Sequence, residues 1–292
     1  MHWLGRGGLH LLLILAGLSM VMPFLWMVST SFRSTMEITR DPHRFVPEIF
    51  SADYGEPGSS SEGETRSLGG LVANYVEAWQ SAPFGRYFFN TVFVALTCVL
   101  GVVVTSALAA YAFARMRFKG RDALFLLFLS MMMVPEPVYL VPSFIIIARL
   151  GWLDTYYALI VPWTVKVFSI FLLRQHFKTI PNDLYDAAII DGCSRFAFLW
   201  RIILPLSKAM LVAVVIFTVV GTWNSFLWPL VMTNGPEVRP LQVGLARFSQ
   251  EQGTNHELMM AAAAFSIAPL IVAYFFAQKQ IIQSLATSGM KS

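Results

Sequence analysis

Long apolar runs separated by shorter polar stretches set the pattern of this chain. The runs cover residues 9–32, 86–114, 122–148, 156–177, 207–232 and 257–280. A helix rising about 1.5 Å per residue needs about 20 residues to cross the hydrocarbon of a bilayer, and each run is long enough. The pattern predicts an all-α membrane protein with six transmembrane helices. A cleaved signal peptide would have a shorter apolar core followed by an Ala-x-Ala-like site. The first run is longer and ends in Thr-Ser-Phe-Arg, so it reads as an uncleaved span. One polar elbow breaks the pattern between spans four and five, residues 181–205, PNDLYDAAIIDGCSRFAFLWRIILP. Pro181, Asn182 and Asp183 open a short helix that Gly192 closes, and Ser194 caps a second, amphipathic piece ending at Pro205.

Composition and charge refine this picture. Hydrophobic residues make up 56% and charged residues only 13% of the 292, against about 25% charged in soluble domains. The net charge of +4 is modest, and the basic residues flank the spans. They set topology and offer no nucleic-acid surface. Arg115, Arg117, Lys119 and Arg121 crowd one very short loop, which the positive-inside rule places in the cytoplasm. With six spans, the elbow and both termini then also face the cytoplasm. The expected organisation is an N-terminal region with the first span (1–32), an external loop with a flexible insert (33–85), a five-helix core (86–280) and a cytoplasmic tail (281–292). Cys98 and Cys193 give neither a disulfide framework nor metal-site spacing. No Gly-x-x-x-x-Gly-Lys-Ser/Thr stretch is present, so any ATP hydrolysis must come from another chain.

Two ionisable residues fall inside predicted spans. Glu136 lies in the Pro135-Glu136-Pro137 interruption of span three, where it either lines a pathway or sits near the outer interface. Lys166 lies near the middle of span four and is either a cargo or gate contact or half of a structural ion pair. Gly101, Ser106, Ala107, Ala109 and Ala110 in span two suit close helix packing, with no transport role required.

The elbow carries a spaced pattern: Asp186-Ala187-Ala188, three residues, Gly192, nine residues, then Ile202-x-Leu204-Pro205. It resembles the cytoplasmic signature loop of bacterial ABC importer permeases, Glu-Ala-Ala, three residues, Gly, nine residues, Ile-x-Leu-Pro. The one departure is Asp186 for Glu, which keeps the carboxylate and shortens its reach. From about residue 70 onward the chain looks like carbohydrate-importer permeases of the maltose-transport type. The resemblance rests on NYVEAW, RYFFNT, AYAFARMRFKGR, LLRQHFKTIPNDLYDAAIIDGCS, GTWNSFLWPLVM and the tail SGMKS. The family tail usually ends Val-Lys-Gly where this chain has Met290-Lys291-Ser292, and the insert around 51–69 has no counterpart.

The resemblance implies a bacterial inner-membrane translocation subunit that catalyses no covalent chemistry itself. Its elbow would dock in a cleft of an ATP-binding subunit and move as the dimer of those subunits, which bind the ATP and Mg, closes; the alternative is an amphipathic loop helix lying on the membrane surface. This chain would hold no cofactor or metal. A second homologous permease and an external substrate-binding protein or lipoprotein would complete the assembly. In span five, Trp223, Asn224 and Ser225 group an indole, an amide and a hydroxyl, a combination that binds sugars by stacking and paired hydrogen bonds. Helix-to-helix hydrogen bonding beside an interfacial Trp explains the cluster equally well. Two other readings stand beside the sugar importer. One is an ABC permease for glycerol phosphate, amino acids or peptides. The other is an ion-coupled carrier with Glu136 and Lys166 as coupling charges, which leaves the elbow without a purpose.

Overall fold

The computed structural model describes residues 2–51, 68–253 and 255–289, and no strand occurs among them. Most of the 51–69 insert (residues 52–67) and the tail Met290–Ser292 lie outside the described residues. The helices are α1 (His2–Ser31), α2 (Thr35–Arg40), α3 (Leu68–Ser81), α4 (Phe84–Arg115), α5 (Arg121–Met131) and α6 (Glu136–Arg149). Next come α7 (Tyr156–Ile160), prolonged by a 3-10 turn at Val161–Trp163, then α8 (Val167–Thr179) and α9 (Asn182–Ile190). A helical segment α10 (Arg195–Leu206), with a π turn at Leu199–Ile203, precedes α11 (Lys208–Trp223). The chain continues through α12 (Leu227–Met232), α13 (Leu241–Gln252) and α14 (His256–Gly289).

Four stretches are long and apolar enough to cross a bilayer alone: Gly8–Ser31, Phe84–Arg115, Tyr156–Thr179 and His256–Phe275. Two further pairs qualify together but are bent, α5 with α6 by 97° and α10 with α11 by 82°, giving up to six spans. The expected third span is therefore sharply angled around Pro135, where a missing N–H and a fixed φ end one helix and start another. The expected fourth and fifth spans are each interrupted, at residues 164–166 and 224–226. None of the apolar window of α1 is buried. Leu9, Leu12 and Ile14 point outward, the arrangement that hydrocarbon solvent permits and water does not.

The chain divides into two compact units, Met1–Gly85 with Gly244–Pro269, and Arg86–Val243 with Leu270–Ser292. In the first, the polar segment after α1 folds around a buried arginine. Arg33 is 1% exposed; its Nε pairs with Glu37 at 3.1 Å, and its Nη2 donates to the carbonyls of Glu37 and Asp41. Glu37 also accepts from the Glu48 amide at 3.0 Å. A buried charge is tolerable only when its hydrogen-bonding groups are matched in this way. Asn74 of α3 donates to the carbonyls of Ser31 and Arg33 at 2.8 and 2.9 Å, fixing α3 to the end of α1. Phe84 sits edge-on to Phe248 and Phe265, 5.2 and 4.9 Å between ring centres.

The second unit has its main core where α4, α8, α9 and α10 meet. Ala107, Ala110, Leu173, Phe177, Ala188, Phe198 and Ile203 are buried together there, so the small residues of α4 serve packing. Arg174 is absorbed at the same end, its guanidinium 3.7 Å from the Phe125 ring centre and 3.4 Å from Asp122. At the other end Asp154, at φ 57°, accepts from the amides of Asn234 and Gly235 at 3.0 and 3.1 Å. That contact ties the turn after α6 to the turn after α12.

Candidate functional site

Three helix breaks in the second unit face a single cavity. α6 starts at Glu136 after Pro135 (φ −64°, ψ 142°). α8 starts after Lys166, whose backbone is extended (φ −123°, ψ 115°). α11 ends at Trp223, and the chain turns through Asn224, Ser225 and Phe226 before α12. Each break strips backbone groups of their partners within a span, which is tolerated only against protein or water. Some are recovered locally: Thr105 Oγ1 of α4 donates to the Thr164 carbonyl at 2.8 Å, and Asn224 Nδ2 donates to the Val220 carbonyl at 3.0 Å. α4 can come this close because it presents Gly101. A Cβ built there would lie 2.7 Å from Thr164 Cγ2.

The cavity measures about 350 Å³ and is lined by Glu136, Trp163, Lys166, Gly221, Asn224, Ser225 and Trp228, among others. That is within the range of small-molecule sites. The Lys166 ammonium reaches across to α11, where a Cβ on Gly221 would stand 3.5 Å from Nζ. Neither Lys166 nor Glu136 belongs to an ion pair among the described residues. The ion-pair reading of Lys166 therefore finds no partner there, and both charges border the cavity.

Of the Trp223-Asn224-Ser225 cluster, the structure places Asn224 and Ser225 on the cavity wall and Trp223 elsewhere. Trp223 is 6% exposed and packs edge-on to Phe88 at 5.7 Å. Two other indoles border the cavity, the partly exposed Trp163 and, behind it, Trp228, which is 3% exposed. Trp163 and Trp228 stand perpendicular at 5.4 Å, and Trp228 Nε1 donates to the Ala158 carbonyl at 2.9 Å, which fixes its ring. Sequence reading passed over both, although Pro162-Trp163 and Trp228-Pro229 put a proline beside each within an apolar run.

The elbow is built by local chemistry. Gly192 takes φ +77°, a left-handed conformation that costs glycine nothing. Its amide donates to the Ile189 carbonyl at 3.0 Å, and the Cys193 amide donates to the Ala188 carbonyl at 2.8 Å. This double bond is the Schellman closure of a helix end. Ser194 Oγ accepts from the Ala197 amide at 3.2 Å and starts α10. Pro205 cannot donate to the Arg201 carbonyl and crowds it, consistent with the π turn just before it.

The signature residues divide between two surfaces. Ala188 is buried, and Ile202 and Leu204 pack on the same cluster. Asp186, Ala187, Gly192 and Pro205 are exposed. Beside them Ile190 is 86% exposed and Phe196 63% exposed, leaving an uncovered apolar surface on the elbow.

Arg115, the last residue of α4, holds the elbow in place. Its guanidinium donates to the Phe177 carbonyl at 2.8 Å, to the Ile180 carbonyl, and to Asn182 Oδ1 at 2.5 Å. It thus neutralises the carbonyl end of α8 and grips the first residue of α9. Replacement by methionine keeps the aliphatic stem and leaves those carbonyls unmatched. A local loss of about 1.5 kcal/mol is expected, read as faster amide exchange across 181–193 with exchange in α11 unchanged.

Comparison with known proteins gives a consistent result. A family model described as "Binding-protein-dependent transport system inner membrane component" matches residues 101–287. The probable ABC transporter permease protein YurM of Bacillus subtilis is 32% identical over 292 residues, spanning 99% of this chain and 90% of that protein. The arabinooligosaccharides transport system permease protein AraQ of Halalkalibacterium halodurans is 31% identical over 271 residues, covering 93% of this chain and 91% of AraQ. Among solved structures, a bacterial ABC transporter involved in the import of the acidic polysaccharide alginate matches with a TM-score of 0.79 at 23% identity, covering 96% of this chain and 97% of that one.

Proposed function

The chain belongs to the family of binding-protein-dependent transport system inner membrane components, and from that premise we propose that it is one translocation subunit of an ATP-driven importer of a sugar or oligosaccharide. The observation that carries this reading is the cavity where three helix breaks meet. It pairs the partly exposed Trp163 indole, backed by the buried Trp228, with an amide, a hydroxyl, a carboxylate and an ammonium. Apolar sugar faces stack on indoles, and hydroxyls take hydrogen bonds from both neutral and charged partners. The name of the AraQ relative supports a saccharide cargo.

In this reading the chain lies in the bacterial inner membrane with both termini in the cytoplasm. It pairs with a second permease and receives cargo from an external binding protein. One subunit of an ATP-binding dimer that holds ATP and Mg docks on the elbow at Asp186, Ala187 and Gly192, while Ala188, Ile202 and Leu204 tie that surface to the helix core and Pro205 stands exposed. Closure of the ATPase dimer moves the elbow, and the cavity changes the side on which it opens. Breaks at residues 132–135, 164–166 and 224–226 are natural hinges for such a change.

The test is uptake into liposomes holding this chain with its partner permease, ATP-binding subunits and binding protein. With labelled arabino-oligosaccharide and diacetylchitobiose as probes, accumulation should require ATP inside. Uptake by the chain alone down an ion gradient would establish the carrier alternative. Strict ATP dependence with transport of phosphorylated or amino-acid cargo and neither saccharide would refute the sugar assignment.

A further inference from the structure

The segment between α1 and α3 turns charges inward and apolar side chains outward. Arg33, Glu37 and Glu48 are buried, while Met36, Val46 and Phe50 are half exposed or more. Its irregular backbone is closed on itself. Ser29 Oγ donates to the Phe45 carbonyl, Arg44 Nε to the Val46 carbonyl at 3.0 Å, and the Phe50 amide to the Pro47 carbonyl at 3.0 Å. α3 has three faces. Asn74, Tyr75 and Ala78 turn inward, and the Tyr75 hydroxyl meets Ser31 Oγ at 2.6 Å. Glu77, Gln80 and Ser81 make an exposed polar face. Val72, Val76 and Trp79, at i, i+4 and i+7, make an apolar stripe that is about half exposed. Beside that stripe runs a groove of about 300 Å³ lined by Tyr75, Val76, Trp79, Gln80 and Phe265 of α14. Outward apolar stripes over internally matched backbone are what a surface bordering hydrocarbon requires.

We propose that α3 and the 45–50 turn form a collar seated in the lipid headgroup layer at the C-terminal end of α1, with the groove beside Phe265 taking the upper part of a lipid acyl chain. Depth is set by the two spans that the collar touches. Ser31 is the last residue of the α1 span, and Asn74 and Tyr75 hydrogen-bond at Ser31 and Arg33. Phe265 lies within the span His256–Phe275 and meets Trp79 edge-on at 5.4 Å. α3 therefore lies where these spans leave the hydrocarbon. Ring contacts run across the same level: Trp26 to Phe45 at 6.0 Å, Phe32 to Phe50 at 5.8 Å and Phe32 to Tyr75 at 5.5 Å. Aromatic rings concentrate at this depth because one edge is apolar and the other wet. A soluble partner would find its hydrogen bonds on the polar face of α3, whereas the stripe and groove adjoin spans whose apolar surface the bilayer covers. Only the membrane crossing of α1 and α14 is needed here, not the identity of the cargo or of the ATP-binding partner. The collar would keep α1 from sliding along its axis, which an uncovered apolar window alone cannot do.

The experiment places a fluorophore on single cysteines of the full-length chain, reconstituted with its partner permease and ATP-binding subunits in phosphatidylethanolamine–phosphatidylglycerol vesicles. Cys98→Ala/Cys193→Ala removes the native thiols, and Val76→Cys, Phe50→Cys and Glu77→Cys supply the labelling sites. Amphipathic helices sink about 5–10 Å into the boundary between headgroups and acyl chains. The two quenchers are therefore a lipid with a nitroxide near the top of its acyl chain, and aqueous iodide. Labels at 76 and 50 are expected to be quenched about threefold more by the nitroxide lipid than by iodide, and the label at 77 to show the reverse order. Monodisperse elution identifies folded variants, and Val72→Cys replaces Val76→Cys if the latter fails that check. Equal quenching of all three sites by iodide would overturn the proposal. Shielding of position 76 from both quenchers would assign the stripe to the partner permease instead. Lipid quenching that disappears when saturating binding protein is added would assign it to that protein, again against the proposal.

Discussion

Replacing Gly101 with leucine is expected to destabilise the helix bundle by about 3 kcal/mol, at the upper end for overpacked cores. A Cβ alone would stand 2.7 and 2.8 Å from the side chain of Thr164 and 3.3 Å from its Cα. The side-chain contacts are already too short, and the backbone contact leaves α4 no route but outward. That displacement breaks the Thr105–Thr164 hydrogen bond and exposes a carbonyl that has lost its helix partner, adding the cost of an unmet polar group. Thermal unfolding in detergent should show the loss, with Gly101→Ala falling between wild type and leucine. The double variant Gly101→Ala/Thr164→Gly removes the atoms at 2.7 and 2.8 Å. It should melt higher than the sum of the two single effects requires. Additive singles would mean that the close approach of α4 to this break is unimportant.

The same contact shows what the sequence could and could not display. The apolar runs were legible because length and hydropathy alone report membrane spans. The breaks inside them were less so. Residues 156–177 read as one span, since Val161, Val165 and Val167 are as apolar at a break as within a helix. What tolerates the break is Thr105, 59 positions away in sequence, and no local pattern encodes a partner at that distance. Pro135 announced its bend because its effect is covalent and local. The elbow was the most legible part, since its caps at Gly192 and Ser194 satisfy backbone groups within a few residues.

For the site, residue type located Glu136, Lys166, Asn224 and Ser225, and the structure brings all four to one cavity. Trp223 illustrates the limit. It is the last residue of α11, whose helical face directs it at Phe88, while the turn that begins at Asn224 directs the next two residues to the cavity. Trp163 and Trp228 border the cavity because the turns at Val161–Trp163 and at the start of α12 place them there, Trp163 partly exposed and Trp228 buried behind it. The polar core around Arg33 was invisible for a similar reason. A segment rich in Pro, Arg and Glu reads as loop, and only the mutual arrangement of Arg33, Glu37 and Glu48 makes its burial affordable.

Gly192→Val is expected to reduce ATP-driven uptake by well over tenfold while leaving the protein inserted and folded. The argument turns on what the substitution meets. Among the described residues, and apart from the chain neighbours, nothing lies within 4 Å of a Cβ at this position, so there is no internal clash to unfold the elbow. The cost is conformational: φ of +77° is available to glycine freely, and to a side-chain-bearing residue only at about 1–2 kcal/mol, more for a β-branched one. A cost of that size does not unfold a membrane bundle. It does favour reopening the turn that holds the end of α9 over α10, and with it the Cys193–Ala188 hydrogen bond. Gly192→Asn provides the control, since asparagine tolerates left-handed backbone. If geometry alone matters, Gly192→Asn should transport near the wild-type rate. If the ATP-binding subunit packs directly on the bare glycine, Asn and Val should fail together. Uptake at wild-type rates by both variants would remove the elbow from the coupling mechanism. The measurement is the ratio of cargo imported to ATP hydrolysed in liposomes, because a docked but misaimed α9 leaves hydrolysis running while transport falls.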